Sequence, residues 1–229
     1  MSDNSKVILI TGASSGIGKA SAEYLVQQNH IVFGTSRYPG SYPKPNDYTI
    51  FQMDVTDADS IQAAINQIID NNGRIDVLIN NAGFGIAGAI EHTSISKAKE
   101  QFETNFFGTV RLIKSILPIM HKQDSGLIIN ISSIGGLIGL PYQGMYSASK
   151  FAIEGLTESL YKELRSSNIK IVLVEPGDFK TSFTEKRGIS KNAIQSDVFQ
   201  NTLNIIENDE KFYEMHNYLD KLILGSKCK

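Results

Sequence analysis

The stretch Val7-Ile8-Leu9-Ile10-Thr11-Gly12-Ala13-Ser14-Ser15-Gly16-Ile17-Gly18 decides the fold. Four apolar residues run together without alternation, as in a strand buried on both faces. Thr11-Gly12 is a turn signal, and helical spacing follows from Gly16 to Gln28, with Ile17, Ala20, Tyr24 and Leu25 on one side. The order is strand, Gly-rich turn, helix. Glycines in such a turn let the main chain approach a pyrophosphate, and the helix start offers N–H donors and a positive dipole end. The spacing is G-x-x-x-G-x-G rather than the commoner G-x-G-x-x-G; a connector without ligand is the bland alternative.

The same alternation continues outward. Further apolar runs stand at Ile31–Gly34, Tyr48–Met53, Val77–Ile79, Leu127–Ile131 and Ile171–Val174. Between them helical periods are predicted from a Thr56 cap to Asn72-Gly73, from about Ser94 to His121 with Pro118 in the last turn, and from Met145 to about Ser166. Strands apolar on both faces, alternating with helices, predict an α/β, Rossmann-like doubly wound parallel sheet with helices on both faces. Six strands are expected. A seventh, sought at Leu222-Ile223-Leu224-Gly225, is expected to be absent or very short. No composition break marks a boundary, so residues 1–229 read as a single domain, with 182–229 as its helical lid and tail.

The chain has 229 residues, 41% hydrophobic and 20% charged, with a net charge of −2. This is ordinary for a globular protein, and no basic block points to nucleic acid or an anionic membrane. No run approaches the roughly 18 apolar residues of a membrane span. The single cysteine, Cys228, forms no intrachain disulfide, and the polar start is followed by too few apolar residues for a signal peptide. A cytoplasmic location is expected. His30, His92, His121 and His216 are scattered without metal-ligand spacing, so no metal is expected. Ser133 has no histidine partner in the pattern, which disfavours a serine hydrolase.

Two further features carry chemistry. At the end of the second strand stand Thr35, Ser36 and Arg37. A carboxylate there would bond a ribose 2′-hydroxyl; a guanidinium suits a 2′-phosphate, which favours NADP(H) over NAD(H). Arg37 as a plain surface arginine is the alternative. Tyr146 and Lys150 stand four apart in Tyr146-Ser147-Ala148-Ser149-Lys150, which places both on one helix face. A phenol beside an ammonium can exchange a proton with a substrate oxygen near neutral pH.

Taken together, Thr11-Gly12-x-x-x-Gly16-Ile17-Gly18, Asn80-Asn81-Ala82-Gly83, Asn105, Ser133 with Tyr146-x-x-x-Lys150, and Pro176-Gly177-x-x-x-Thr181 resemble, in order, the motifs of the single-domain short-chain dehydrogenase/reductase family. The resemblance covers roughly residues 6–183. It implies that Tyr146 is the catalytic acid/base and that Ser133, thirteen residues earlier, donates to the substrate oxygen. Lys150 would bond the nicotinamide ribose and lower the Tyr146 pKa, and Asn105 would hold a water linking Lys150 to solvent. Gly12, Ser14, Ser15, Gly16, Ile17 and Gly18 would cradle the pyrophosphate. Asp54 and Val55 would meet the adenine, and Asn81, Ala82 and Gly83 would line the adenosine side. Pro176, Gly177 and Thr181 would face the nicotinamide, with Thr181 on its carboxamide. Structural alternatives stand beside several of these: a buried amide for Asn105, a hydroxyl bonding local backbone for Ser133, a turn residue for Asp54 and a helix cap for Thr181.

Ile134, Leu137, Ile138, Leu140, Pro141 and Tyr142 occupy the place of the family's substrate loop, and their apolar character suggests a lipophilic or small neutral carbonyl. Thr181 to Met215 would form the lid, and Ile205 to Leu224 would serve the lid or dock a second copy in a homo-oligomer. The expected function is NADP(H)-dependent interconversion of a ketone or aldehyde and an alcohol by hydride transfer. The alternative is a non-catalytic NADP(H)-binding sensor or scaffold.

Overall fold

The computed structural model describes residues 5–41 and 47–177, together with the backbone of 188–189. Six strands form one parallel sheet: β1 (Val7–Ile10), β2 (Ile31–Ser36), β3 (Thr49–Gln52), β4 (Val77–Asn80), β6 (Gly126–Ile131) and β7 (Ile169–Val174). The spatial order β3-β2-β1-β4-β6-β7 reverses direction beside β1, as a doubly wound sheet does. A separate parallel pair joins β5 (Ile86–Ala87) to β8 (Gly188–Ile189). The expected six-strand sheet is present. The segment 222–225, where a seventh strand was sought, and the lid and tail of 182–229 lie outside the described residues apart from that short pair.

Alternate residues of β1 feed opposite layers, as the pleat requires. Val7 and Leu9 pack with Ile61, Ile65 and Ile68 of α2 (Ala58–Asn72), Leu112 and Ile116 of α4 (Gly108–Gln123) and Leu160 of α5 (Gly144–Glu163). Ile8 and Ile10 pack with Ala22 and Leu25 of α1 (Gly16–Gln27). Each sheet residue buried this way contributes on the order of 2 kcal/mol. The strand ends nearest the chain's Gly-rich turn are thereby fixed between helices on both sides.

Two details differ from the sequence expectation. The cap of α2 is Asp57, whose side chain accepts from the N–H groups of Asp59 and Ser60. Thr56 is drawn away because its hydroxyl donates to Asp54 Oδ1 at 2.8 Å. The long helix after Ser94 is three pieces: α3 (Ile95–Phe102), one π-helical turn (Glu103–Phe107) and α4. The wide turn is centred on Asn105. Pro118 sits inside α4, which runs on to Gln123 and ends on Asp124 in the left-handed conformation at φ 50°.

Candidate active site

The Gly-rich turn folds back on itself between β1 and α1. Gly12 and Gly16 have φ of +68° and +56°, which a side chain would strain. A Cβ on Gly18 would lie 2.5 Å from both the Gly12 carbonyl and Asn81 Nδ2, so only glycine lets the helix pass this close to the turn. Ser15 occupies the N-cap of α1 without a side-chain capping bond, and the first turn contains no acid. With neither a capping side chain nor an acid in that turn, the helix start keeps its N–H donors and positive dipole end for an anion, as binding of a pyrophosphate requires.

Braces hold this cradle from below. Thr11 Oγ1 accepts from the N–H groups of Asn81 (2.9 Å) and Ala82 (2.8 Å). Asn81 Nδ2 donates back to the carbonyls of Thr11 (2.8 Å) and Gly12 (3.2 Å). The Asn81 side chain is thus spent on the turn. Tyr48, which carried no role in the sequence expectation, donates its hydroxyl to Ala13 O at 3.0 Å. Burial pushes the Tyr48 phenol up to about 12, with Glu23 adding to the rise, so it remains a donor. The only sequence sign of this brace is Gly34 inside β2: a Cβ there would lie 2.7 Å from Ala13 Cβ and 3.1 Å from the Tyr48 ring.

Arg37 follows β2 on the exposed surface, with its guanidinium 5.9 Å from the centroid of the Tyr38 ring. Asp54 lies beyond β3, and its Oδ1 accepts from the N–H and hydroxyl of Thr56, at 2.9 and 2.8 Å. It serves the turn with one oxygen. Val55 is buried against Gly108 of α4. Pro176 O receives Ile134 N–H at 3.0 Å, tying the end of β7 to the loop after β6. Gly177 is exposed, and Thr181 lies outside the described residues.

Ser133, Tyr146, Lys150 and Asn105 come together at the ends of β4 and β6. Ser133 Oγ accepts Gly135 N–H at 3.1 Å, which leaves its own proton to donate elsewhere. A Cβ on Gly135 would lie 3.5 Å from Ser133 Oγ and 3.2 Å from Tyr146 Cε1, so the two side chains flank one point. Lys150, one turn along α5, is buried and donates from Nζ to Ile131 O at 2.8 Å. Its Nζ lies 5.8 Å from the centroid of the Tyr146 ring. Burial brings the ammonium down to about 8 from its ordinary 10.5, against an opposing pull from Glu154.

Asn105 is buried and its amide is committed. It accepts Phe84 N–H and donates to Phe84 O, both at 3.0 Å, and it donates to Ser149 Oγ at 3.1 Å. Ser149 in turn donates to Tyr146 O at 2.7 Å. Asn105 therefore joins the strand-end loop to the helix that carries Tyr146 and Lys150 through side-chain bonds. A second buried chain, Asn80 Nδ2 to Asn130 Oδ1 and Asn130 Nδ2 to Thr157 Oγ1, both 2.8 Å, ties β4 and β6 to α5. Ser149, Asn130 and Thr157 carried no sequence expectation; polar residues inside an apolar strand or helix face were their signal.

Beside this cluster Ile90, Ile134, Leu137 and Ile138 stand 66%, 40%, 53% and 52% exposed. No charged residue occurs from Ser125 through Ser149. Gly88 N–H donates to Tyr142 O at 2.7 Å and joins the two loops that carry this apolar rim. Among the described residues there is no group of three or more His, Cys, Asp or Glu able to hold a metal, and no helix long and apolar enough to cross a membrane.

Comparison with known proteins decides the family. The short chain dehydrogenase model matches residues 6–192. The chain belongs to the short-chain dehydrogenase family. This family member is 50% identical over 210 residues to 3-ketodihydrosphingosine reductase of Bacteroides thetaiotaomicron, an alignment covering 90% of this chain and 77% of that protein. It is 40% identical to bovine (Bos taurus) retinol dehydrogenase 8 over 81% of this chain and 63% of that one. Among solved structures, a short-chain dehydrogenase from Streptomyces avermitilis superposes with a TM-score of 0.84 at 32% identity, covering 100% of this chain and 86% of the other. ElxO with NADP bound superposes with a TM-score of 0.71 at 32% identity, over 89% of each chain. The chain is thus a member of an oxidoreductase family that acts on small molecules, with the dinucleotide-type fold anticipated from its first strand and turn.

Proposed function

We propose that this family member is an NADP(H)-dependent oxidoreductase that interconverts a lipophilic ketone or aldehyde and the corresponding alcohol. The observation that carries the reading is the convergence of Ser133 and Tyr146 on one point beside Gly135, with Lys150 buried one turn along the same helix. The dinucleotide would lie on the turn of Gly12, Ser14, Ser15, Gly16, Ile17 and Gly18, with Asp54 and Val55 at its adenine and Asn81, Ala82 and Gly83 along its adenosine side. Arg37 would face the 2′-phosphate, and Pro176, Gly177 and Thr181 the nicotinamide. Bound there, NADP(H) would supply or accept the hydride.

The chain's own groups handle the oxygen and its proton. Reduction of a carbonyl builds negative charge on oxygen, and the hydroxyls of Ser133 and Tyr146 would both donate to it. Tyr146 would give up its proton as the alcohol forms and take one back in the oxidative direction. The Lys150 ammonium, held by Ile131 O, would stabilise the phenolate by its charge. Asn105 supports the set through Phe84 and Ser149, which engage its amide, while its main-chain oxygen accepts the Thr109 hydroxyl. Two relatives are named for a sphingoid ketone and for retinol, and the uncharged rim of Ile90, Ile134, Leu137 and Ile138 fits a lipophilic substrate of that kind. The whole chain would act as one domain, with residues 182–229 as lid and tail.

A panel of lipophilic ketones, followed by the near-ultraviolet absorbance of NADPH, tests this reading. Tyr146→Phe should lose turnover by about a thousandfold or more while binding NADPH as before. Retained turnover would reject the role of Tyr146. NADPH binding without turnover on any carbonyl would favour a non-catalytic sensor.

A further inference from the structure

Beyond Lys150 the same row of α5 continues to Glu154, to which the proposed reaction assigns nothing. Tyr146, Lys150 and Glu154 are spaced four apart and lie on one face. Glu154 Oε1 and Ser132 Oγ are both buried, and apart from each other neither has a hydrogen-bond partner among the described residues. They converge on one place: a Cβ on Gly136 would lie 2.5 Å from Ser132 Oγ and 2.9 Å from Glu154 Oε1. Two buried oxygens aimed at the same point, with no other partner, are held to each other, because an unpaired buried group costs about 1–3 kcal/mol. One is a hydroxyl and the other a carboxyl, so they can satisfy each other, directly or through one water.

We propose that Glu154 is a positioning residue, whose carboxyl pairs with Ser132 across Gly136 and so fixes the strand end bearing Ser133 against the helix bearing Tyr146 and Lys150. This rests on the reading of Ser133, Tyr146 and Lys150 as the reacting set. The connection is short: Ser132 precedes Ser133, and its N–H is already held by Val174 O at 2.7 Å. The Lys150 ammonium already ties Ile131 of this strand end to the Tyr146 row, and Glu154 adds a second, anionic link one residue further on. The charged groups that face it are Lys150 on its own helix and Glu175 beyond β7; β6 and the turn after it supply none. Burial raises the Glu154 carboxyl, Ser132 and Lys150 draw it down, and Glu175 raises it. In return its carboxylate favours the protonated form of Lys150.

Three variants separate the parts. Glu154→Leu removes both the hydrogen bond and the charge. Glu154→Gln keeps a hydrogen-bonding group and removes the charge. Gly136→Ala leaves both residues intact and wedges a methyl between them. Glu154→Leu and Gly136→Ala should each lower kcat about tenfold or more, with the NADPH Kd unchanged. Glu154→Gln should recover most of that kcat while moving the alkaline fall of the pH profile to lower pH. Independently of turnover, the Cε resonance of Lys150 in lysine-labelled protein, assigned by its loss in Lys150→Met, should titrate near 8 in the parent protein and lower in Glu154→Gln. Wild-type kcat in both Glu154→Leu and Gly136→Ala would overturn the positioning role. An unmoved Lys150 titration in Glu154→Gln would overturn the link to Lys150, even if no carbonyl substrate is found.

Discussion

Asn105 and Phe84 are joined by a reciprocal pair of hydrogen bonds, N–H to Oδ1 and Nδ2 to main-chain O, each 3.0 Å long. The π-helical turn at Glu103–Phe107 carries Asn105, and such turns favour functional sites. Asn105→Ala would leave a part-buried Phe84 N–H without its acceptor and Ser149 without one donor. A loss of about 2 kcal/mol in urea unfolding is expected, together with weaker NADPH binding, because the loop after β4 is no longer pinned. A stability change under about 0.5 kcal/mol would show that the pair contributes little.

Gly18 tests the cradle itself. In Gly18→Ala the new methyl meets the Gly12 carbonyl and Asn81 Nδ2, both at 2.5 Å. The carbonyl cannot give without moving the turn. The variant should lose about 1–3 kcal/mol of stability and most of its affinity for NADPH by fluorescence titration. Unimpaired binding would mean that the dinucleotide does not use this turn.

Lys150 should leave a signature in stability against pH. Its folded pKa is about 8 and its ordinary value 10.5, so below pH 8 both folded and unfolded chains hold the proton and the cost of burial is paid in full. Between about 8 and 10.5 the unfolded chain binds more protons, and stability rises with pH across that window. The full difference is about 3 kcal/mol. Lys150→Met should abolish this rise. At neutral pH it should stabilise the fold by about 1–2 kcal/mol, since the orphaned Ile131 carbonyl offsets part of the gain. Urea midpoints measured across this pH range for both proteins would check the slope.

Arg37 decides the proposed cofactor preference. Arg37→Ala should weaken NADPH binding about tenfold or more, the loss of one charge-assisted contact, and leave NADH binding unchanged. Parallel titrations with the two nucleotides read the ratio. An unaltered ratio would return Arg37 to the status of a surface residue stacked near Tyr38.

The sheet was legible because its strands are apolar on both faces and are bounded by turn residues; Val7–Ile10 matches the expectation residue for residue. The helix ends were less so. Thr56 and Asp57 are both competent caps, and the choice fell to the side chain that Asp54 did not capture. The π turn at Asn105 has no periodic signal, because one extra residue in a helix disturbs the pattern no more than a polar substitution does. Ser133 joined Tyr146 and Lys150 only through the family resemblance, whereas that pair was readable from spacing, since the two share a helix face. Tyr48, Ser149 and Asn130 were not, because their partners are distant in the chain: Tyr48 braces Ala13 and Asn130 meets Asn80. The commitment of Asn81 and Asn105 amides to main-chain groups also depends on folded distances that no local pattern encodes.

Tyr48, Gly34 and Ala13 occupy three different segments yet fit one another within van der Waals limits. In a chimera with a relative, a crossover placed between residues 34 and 48 would separate this trio, pairing one parent's ring with the other parent's strand. Where the relative carries a side chain larger than glycine in place of Gly34, such a hybrid would lose its nucleotide pocket although every glycine of the turn were kept. Shuffling this chain with its relatives will therefore succeed when residues 13–48 travel as a single block.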